Sequence, residues 1–595
     1  MKDMNIRIKN KLYIVLIGLS LTLWSCNDYE DVPVEKLTLE YVFSSTDSLG
    51  VNAKKYLNDV YSVLRYGHNA IEGDYLDAAS DDAITSSFSE NQIYQLQIGR
   101  YSAFTRLADM GWANYYRGIR RANTFINNID VVPFLQTYNN HVATNVPLNR
   151  ALKAEARFLK AYYYFELVKR YGGVPLVGDI PYELGEPMEL PRNTFDECIE
   201  YIVSELDNVK DSLRSVPIAN IGADGHVVTA GAAMALKARV LLYAASPLFN
   251  ESPVQAANPY VGYDTYDPAR WARAAEAAED FINDWGPSGR YGGYGLMDNF
   301  KDVFLNYYGP VTNEVIFHVQ GALDKRDVEL NNGPVGFSSN AKGNGRTSPT
   351  QNLVDAFPMK DGKPIGQSTK YVYSEQWMYD NRDPRLDYTV LHNGSQWLST
   401  TLHTYIGGRS NPTGSTDATT KTSYYLRKFM GNYEDKTEYT GLLRNWVLFR
   451  YAEILLNYAE AKNEYDLASS KITVDAKVIE YIRSIRKRAG IDGDDSTYGI
   501  SDNITCLEMR EIIRNERRIE MAFEEQRFYD IRRWKIAEDI FNQPLKGLAL
   551  VMKAGNILTE HIDVLDAKFD PKRYLYPIPY SEVNKNSNMV QNPGW

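Results

Sequence analysis

The sequence predicts a mostly α-helical protein, in which tetratricopeptide-like helix pairs form a scaffold beside a loop-rich, irregular side. Apolar residues recur at steps of three and four, most clearly at Leu152, Ala156, Leu159, Tyr163 and Leu167. Helical periodicity fades between residues 286 and 440, where Gly, Pro, Asn, Ser and Tyr dominate. Three segments place a small residue one turn before a large one, which is how helix pairs of a repeat scaffold pack: Ala156-x-x-Leu159-x-x-Tyr162, Ala238-x-x-Leu241 and Ala452-x-x-Leu455-x-x-Tyr458.

The first 26 residues have the pattern of a bacterial lipoprotein signal. A basic stretch precedes an apolar run from Leu12 to Trp24, which is too short to span a bilayer. Leu23-Trp24-Ser25-Cys26 is similar to a lipobox, in which the cysteine becomes the acylated first residue. We therefore predict a signal peptide over residues 1–25, lipidation of Cys26 and a polar tether over residues 26–50.

Helices are predicted at intervals along the first half of the chain. Gly172-Gly173-Val174-Pro175 should end the strongest of them, since glycine favours a helix C-terminus and proline cannot continue the helix. Residues 67–110 are mixed in character and predict loops. The predicted helical segments are a face through Leu57 and Leu64, then Trp112–Ile129, Ala151–Arg170, Thr194–Arg214, Ala230–Ala245 and Trp271–Trp285.

The second half begins with turns and ends with helices. Short strands such as Tyr388–Leu391 are expected among the turns. Helices are then predicted over Val447–Tyr465, Val474–Ala489 and Cys506–Ala537, before an extended C-terminus from Tyr574 to Trp595. In the last helix, three oppositely charged pairs stand three residues apart and predict ion pairs along the helix: Glu511–Arg514, Arg517–Glu520 and Glu524–Arg527.

Composition and motifs exclude several classes of function. The net charge is −11, and residues 1–25 carry four basic side chains and one acidic one, so the remaining chain carries −14. That charge disfavours nucleic-acid binding. Three cysteines exclude a disulfide scaffold, and the seven histidines form no metal-binding motif, so we predict no metal and no cofactor. Asp492–Asp495 is faintly similar to a calcium loop, but a turn is favoured because two ligand-loop positions are missing.

Aromatic side chains are the candidates for ligand contact. The chain holds 44 tyrosines, and a flat ring can stack on the C–H face of a sugar while polar neighbours bind its hydroxyls. Core packing is favoured for any single ring, but a few exposed ring faces are expected among those in loops, including Trp377. The predicted ligand-binding residues are Phe88, Tyr101, Tyr291, Tyr294 and Trp397.

Several motifs together resemble the SusD/RagB family of outer-membrane nutrient-binding lipoproteins. The resemblance implies a helical scaffold whose loop-rich side carries the ligand. It also implies an N-terminal region over residues 51–340 and a C-terminal region over residues 341–595, interleaved as one compact unit. The motifs run in family order: Trp112–Ile119, Ala154–Phe165 with Tyr171–Leu176, Ala235–Asn250, Arg382–Leu386, Arg450–Ala461, Glu516–Glu524 with Arg527–Trp534, and Tyr576–Pro579 with Gln591–Trp595.

The resemblance also implies a role. Members are not known as enzymes, and they resemble a hinged lid over a TonB-dependent barrel of the SusC type. We therefore expect a lipid-anchored protein on the cell surface of an outer membrane, which captures oligosaccharide or polysaccharide and passes it to a SusC-like transporter. The shared motifs are chiefly scaffold, so they transfer no sugar-binding residue.

Two alternatives stay open. Some relatives capture peptides, and a deep groove with unpaired backbone edges would favour that function. A surface glycosidase would require a close pair of carboxylates in a cleft and hydrolysis by the purified protein. Tryptophan and tyrosine on one open face would favour sugar.

Overall fold

The structure is a computed structural model that describes residues 38–87, 91–182, 186, 189–215, 227–251, 258–305, 314–321, 326–414 and 419–595. The predicted signal peptide, Cys26 and Phe88 lie outside these residues. The helices are α1 Leu39–Val42, α2 Val51–Tyr61, α3 Gln92–Ile98, α4 Trp112–Asn128, α5 Leu148–Tyr171, α6 Phe195–Val209, α7 Ala230–Ala245, α8 Pro247–Asn250, α9 Ala269–Trp285, α10 Asp302–Leu305, α11 Asp327–Asn332, α12 Gln351–Ala356, α13 Arg385–Thr389, α14 Tyr451–Ala468, α15 Ala476–Ala489, α16 Cys506–Glu520, α17 Gln526–Arg533, α18 Ala537–Ile540 and α19 Tyr580–Lys585.

The strands form two-stranded antiparallel pairs within the described chain, and all but β11 and β12 are short: β1 Ala83–Thr85 with β5 Thr347–Pro349, β2 Thr137–Tyr138 with β3 Val146–Pro147, β4 Val315–Val319 with β10 Trp446–Arg450, β6 Val390–Leu391 with β9 Tyr425–Leu426, β7 Gln396–Trp397 with β8 Thr400–Thr401, and β11 Leu545–Lys553 with β12 Asn556–Leu565.

The long helices pack side by side in chain order, which confirms the predicted fold class. Helix α4 packs on α2 and α5. Helix α6 packs on both α5 and α7, and α9 packs on α7. The series then continues into the second half, because α14 packs on α9 and is itself covered by α15 and α16. One large hydrophobic core therefore runs through both halves of the chain.

Local signals end the helices where the sequence predicted them most clearly. Helix α5 stops at Gly172, which has a φ of 77°. A Cβ atom at that position would lie 2.2 Å from the carbonyl oxygen of Tyr260, so only glycine fits there. Thr194 and Glu197 form a capping box at the start of α6, with the threonine side chain and the glutamate each accepting from a backbone N–H.

The prediction of one helix over Cys506–Ala537 is wrong. The chain leaves the helix after Glu520 and re-enters it at Gln526, and both Phe523 and Glu525 have positive φ. The cause is a contact from far along the sequence. The buried carboxylate of Asp77 accepts hydrogen bonds from the backbone N–H groups of Phe523 (2.9 Å) and Glu525 (3.2 Å). These bonds replace the helical ones across the break.

Three smaller predictions also need correction. The segment predicted to begin a helix at Val447 is first a strand, β10, since it pairs with β4 before α14 begins. The predicted tether is not wholly irregular, because α1 is helical and Phe43 packs on Tyr56 and Phe125. The extended C-terminus contains α19, and the hairpin of β11 and β12 was not predicted.

A buried charge cluster joins the two halves of the chain. It contains five carboxylates and five cationic side chains, none of whose side chains is more than 3 % exposed. Arg450 lies at its centre and bonds to Glu314 (2.8 Å), Glu520 (2.6 Å) and Glu524 (2.8 Å). The full set is Asp383, Glu314, Glu516, Glu520, Glu524, Arg385, Lys428, Arg450, Arg486 and Arg488. Such a cluster persists only if every charge has a partner.

The predicted pairing along Glu508–Arg533 is structural, but most partners differ from the prediction. Glu511 and Arg514 do pair, at 3.9 Å. Arg517 instead bonds to Asp530, and Arg527 bonds to Asp81, both at 2.8 Å. Arg517 on α16 and Arg527 on α17 point into the core. Acids from other elements lie closer to them there than the residues three positions away in sequence.

Candidate functional site

The candidate functional site is a polar cleft at one end of the β4–β10 pair. Because these strands are antiparallel, the residues that follow β4 and those that precede β10 lie together. The N–H of Gly321 donates to the side-chain oxygen of Asn445 (3.3 Å), which fixes this end. The loop after α2 and the helix α11 supply the other walls.

The loop after α2 is anchored by a neutral histidine. His68 shares a hydrogen bond with the hydroxyl of Tyr75 (2.8 Å), and its ring packs edge-on against Trp446. Burial and the nearby Arg444 guanidinium lower the pKa of His68 to about 3, so its imidazole stays uncharged. Gly67 lets the loop approach closely, since a Cβ atom there would lie 2.2 Å from the Trp446 ring.

The cleft has a volume of about 620 Å³, and polar and apolar groups contribute about equally to its lining. Glu72, Gln320 and Asp327 are exposed, whereas Tyr66, Asn69 and Asn331 are half-buried. This set offers carboxylate and amide groups beside one aromatic ring, which is the chemistry that binds sugar hydroxyls and a sugar's C–H face. The lining residues are Tyr61, Ser62, Leu64, Tyr66, His68, Asn69, Glu72, Gly73, Val319, Gln320, Gly321, Asp327, Val328, Asn331 and Arg444.

Hydrogen bonds hold the rim side chains in place. Glu72 accepts from the backbone N–H (2.9 Å) and the side-chain amide (3.0 Å) of Gln92. Asn69 accepts from Asn332 (2.6 Å), and the hydroxyl of Tyr66 donates to the carbonyl of Arg444 (3.0 Å). These three side chains are therefore held in place before any ligand arrives, which lowers the entropy cost of binding.

Replacing Asp74, behind the cleft, by asparagine should stabilise the protein more at about pH 8 than at about pH 5. Burial raises the pKa of Asp74 to about 7. Hydrogen bonds from Thr85, Thr347 and Asn91 and the charge of Arg346 lower this pKa, but they do not outweigh burial. The folded state therefore holds a proton that the unfolded chain has already lost, and stability falls as pH rises through that window. The asparagine removes this loss.

Urea unfolding of the parent and Asp74→Asn at both pH values measures the effect. Asp298→Asn makes the same chemical change at an exposed carboxylate and serves as the control. An equal change at both pH values for Asp74→Asn would contradict the expectation.

Three of the predicted ligand-contacting rings do not offer an exposed face, so that part of the prediction is wrong. Tyr101 stacks on Trp595 and meets Tyr576 edge-on, and its ring lies in the core. Tyr294 is buried with its hydroxyl 3.2 Å from that of Thr229. Trp397 is fully buried and donates to the hydroxyl of Tyr439 (3.0 Å). Loop position misled the prediction, because each ring meets partners from distant segments.

The other two predicted residues have different outcomes. Tyr291 is half-buried between His141 and Trp285 and does not line the polar cleft. Its role in binding stays a prediction, as does that of Phe88, which lies outside the described residues. The sequence reasoning missed Tyr66 and Asn69. The signal that could have found them is the Gly67-His68-Asn69 turn directly after a helical face.

Metal-ligand and cysteine chemistry adds no further site among the residues that the structure describes. No group of three or more potential metal ligands occurs there. The ammonium group of Lys370 lies 2.7 Å from carboxylate oxygens of both Asp492 and Asp494. Cys198 and Cys506 are buried free thiols. In the same described residues, no helix combines the length and the apolar character needed to cross a bilayer.

Comparisons with known proteins agree with this architecture. The SusD family model matches residues 313–595, and a second model, described as starch-binding associating with outer membrane, matches residues 41–242. The SusD-like protein P2 of Formosa agariphila is 24 % identical over 98 % of this chain and 100 % of its own.

Solved structures give the same result. A SusD-like protein from Bacteroides fragilis is 26 % identical and superposes with a TM-score of 0.69, over 92 % of this chain and 97 % of its own. A laminarin-binding SusD-like protein is 20 % identical and has a TM-score of 0.62, over 92 % of this chain and 99 % of its own. The second likeness shows the fold alone.

Proposed function

We propose that this chain, which belongs to the SusD family, is a cell-surface lipoprotein that captures oligosaccharide or polysaccharide and delivers it to a SusC-like TonB-dependent transporter. The observation that carries this proposal is the polar cleft, whose rim places Asn69, Glu72, Gln320, Asp327 and Asn331 beside the ring of Tyr66. The family description of starch binding and the laminarin-binding structural neighbour support a carbohydrate ligand.

The geometry favours binding of modest affinity. The cleft is open to solvent, so a short oligosaccharide buries little surface in it. A lipid at Cys26 and a transporter beneath would raise the effective concentration of captured sugar at the membrane. The association with the outer membrane in the matched family description supports this placement.

We further propose that the protein binds sugar without cleaving it. Glu72, an acid on the cleft rim, has both carboxylate oxygens engaged by Gln92. A general acid must instead hold a proton that it can transfer to the glycosidic oxygen. Asp327 and Asn331 lie one helical turn apart on α11, which suits them to binding the hydroxyls of one sugar.

Combined replacement of Asp327 and Asn331 by alanine should weaken polysaccharide binding by at least about tenfold, since it removes several hydrogen-bonding groups at once. Affinity gel retardation of the purified protein on plant, host and microbial polysaccharides, including starch and laminarin, measures this, with released sugar assayed in parallel. Asn208→Ala, at an exposed position on α6, is the matched control and should bind as the parent does.

The outcomes separate the alternatives. Retardation without sugar release, lost in the double variant, supports glycan capture at the cleft. Released sugar would overturn the binding-only function. Failure of every polysaccharide to retard the parent would overturn glycan capture, and binding of peptides instead would identify the peptide-binding alternative.

A further inference from the structure

Trp377 is an exposed ring outside the polar cleft. It is 61 % exposed, whereas the other tryptophans in the described residues are buried or, for Trp595, half-buried. Leaving an indole in water forgoes the largest apolar burial that any side chain can provide. Tryptophan is enriched at binding interfaces relative to the rest of protein surfaces, so this exposed indole is a candidate ligand contact.

The backbone beneath the ring is fixed. Residues Glu375–Trp377 form a single 3₁₀ turn, and the Trp377 carbonyl accepts from the N–H of Asp380 (3.0 Å). The next residue, Met378, is buried, and its carbonyl accepts from the guanidinium of Arg382 (2.7 Å). Arg382 is itself buried and also donates to the carbonyls of Val354 in α12 and of Phe357 directly after it. The exposed position of Trp377 is therefore set by the core.

Polar groups that can bind hydroxyls lie close to Trp377 in the chain, and one of them bonds to a side chain from a distant strand. One carboxylate oxygen of Glu375 accepts from the hydroxyl of Tyr373 (3.2 Å), and the other lies 3.2 Å from the Nε2 of His561 on β12. The side chains of Glu375 and His561 are both partly open to solvent. Gln376 and Asp380 are exposed beside them.

We propose that Trp377, Glu375 and His561 form a second carbohydrate-binding site, which takes one or two rings of a neutral glycan. The indole stacks on the C–H face of a sugar, while the carboxylate and imidazole bind its hydroxyls. The acids Glu375 and Asp380 repel uronic or sulfated glycans, which selects neutral ones. This inference rests on the proposed function, because it assigns a second site for the same class of ligand.

The second site shares no residue with the polar cleft. It is built from the 371–380 segment and the β11–β12 hairpin, whereas the cleft is built from the loop after α2, α11 and the ends of β4 and β10. Two separate sites on one protein increase the retention of a polymer that can occupy both, without changing the affinity of either site for a short fragment.

Trp377→Ala should weaken binding of the polysaccharide that retards the parent by about five- to tenfold, which is the fold-change that loss of one stacked ring produces. Glu375→Gln should weaken it less. Phe104→Ala is the matched control, since it removes a ring that is 72 % exposed on a different surface, beside Tyr580. The control should bind as the parent does.

Tryptophan fluorescence gives a second readout that a general loss of folding would not mimic. A saturating concentration of a neutral oligosaccharide, prepared from the polysaccharide that retards the parent, is added. It should change the tryptophan emission of the parent and of the Asp327→Ala/Asn331→Ala variant. It should leave the emission of Trp377→Phe unchanged, because the responding indole is missing there. The persistence of the change in the cleft variant is what identifies a second site.

Each outcome decides between the two proposals. If the parent binds polysaccharide and Trp377→Ala binds equally well, the second site is overturned and the cleft stands. If the fluorescence change disappears in the cleft variant, one site accounts for all binding and the second is again overturned. If no polysaccharide in the panel binds the parent, the proposed function fails and this inference fails with it.

Discussion

Replacing Arg450 by alanine should lower the free energy of unfolding by about 3–5 kcal/mol, the usual cost of removing one member of a buried ion pair. Arg450 lies in the buried charge cluster, where five cations balance five carboxylates. Its loss leaves one uncompensated negative charge among side chains that water cannot reach. Burial raises the pKa of Glu520, but the guanidinium groups of Arg488, Arg450 and Arg385 outweigh it and hold that pKa well below its usual value.

Urea unfolding of the parent and the variant at neutral pH measures the loss. Arg290→Ala removes an exposed arginine as the control and should change stability by no more than about 0.5 kcal/mol. If Arg450→Ala does not fold, the double variant Arg450→Met/Glu314→Met removes one charge of each sign and leaves every remaining member of the cluster with a partner, so it should recover part of the stability. A loss below about 1 kcal/mol for Arg450→Ala, or no recovery in the double variant, would contradict this account.

The same cluster predicts the direction of acid unfolding. Because the pKa of Glu520 is lower in the folded protein than in the unfolded chain, its contribution to stability is complete above the unfolded pKa and is lost as pH falls toward the folded pKa. The cluster therefore stabilises the protein at neutral pH and weakens it in acid.

Replacing Cys26 by serine should move the protein from the membrane fraction to the soluble fraction of cells that produce it. The serine cannot carry the thioether-linked lipid, and each CH₂ group buried in the bilayer contributes about 0.8 kcal/mol to attachment. The described residues contain no helix that could replace the lipid as an anchor. Fractionation followed by immunodetection measures the change.

Cys506→Ser is the matched control, because it makes the same chemical change at a buried thiol inside the fold and leaves the proposed anchor intact. It should stay with the membrane. Retention of Cys26→Ser in the membrane fraction after a high-salt wash would contradict lipidation as the cause of attachment. Metabolic labelling with a fatty acid, lost in Cys26→Ser alone, provides an independent measurement.

The sequence by itself determined the helical scaffold and the family. Helices α4, α5, α6, α7 and α9 were predictable because each carries its own three-and-four spacing of apolar residues. Their ends were predictable where the capping residue is local, as at Gly172 and Thr194. Such signals act within a few residues along the chain, so one sequence contains all the information they need.

Only the tertiary structure decided which side chains are exposed and where distant segments meet. The break between α16 and α17 depends on Asp77, more than 440 residues away in sequence. Tyr101 and Trp397 are buried, and Trp377 is exposed, although all three stand in loop-rich sequence. The polar cleft brings together Gln320 at the end of β4, Asn69 from the loop after α2 and Asn331 from α11. Burial is a property of the partners that surround a side chain, and those partners are fixed by the fold and not by the neighbouring residues.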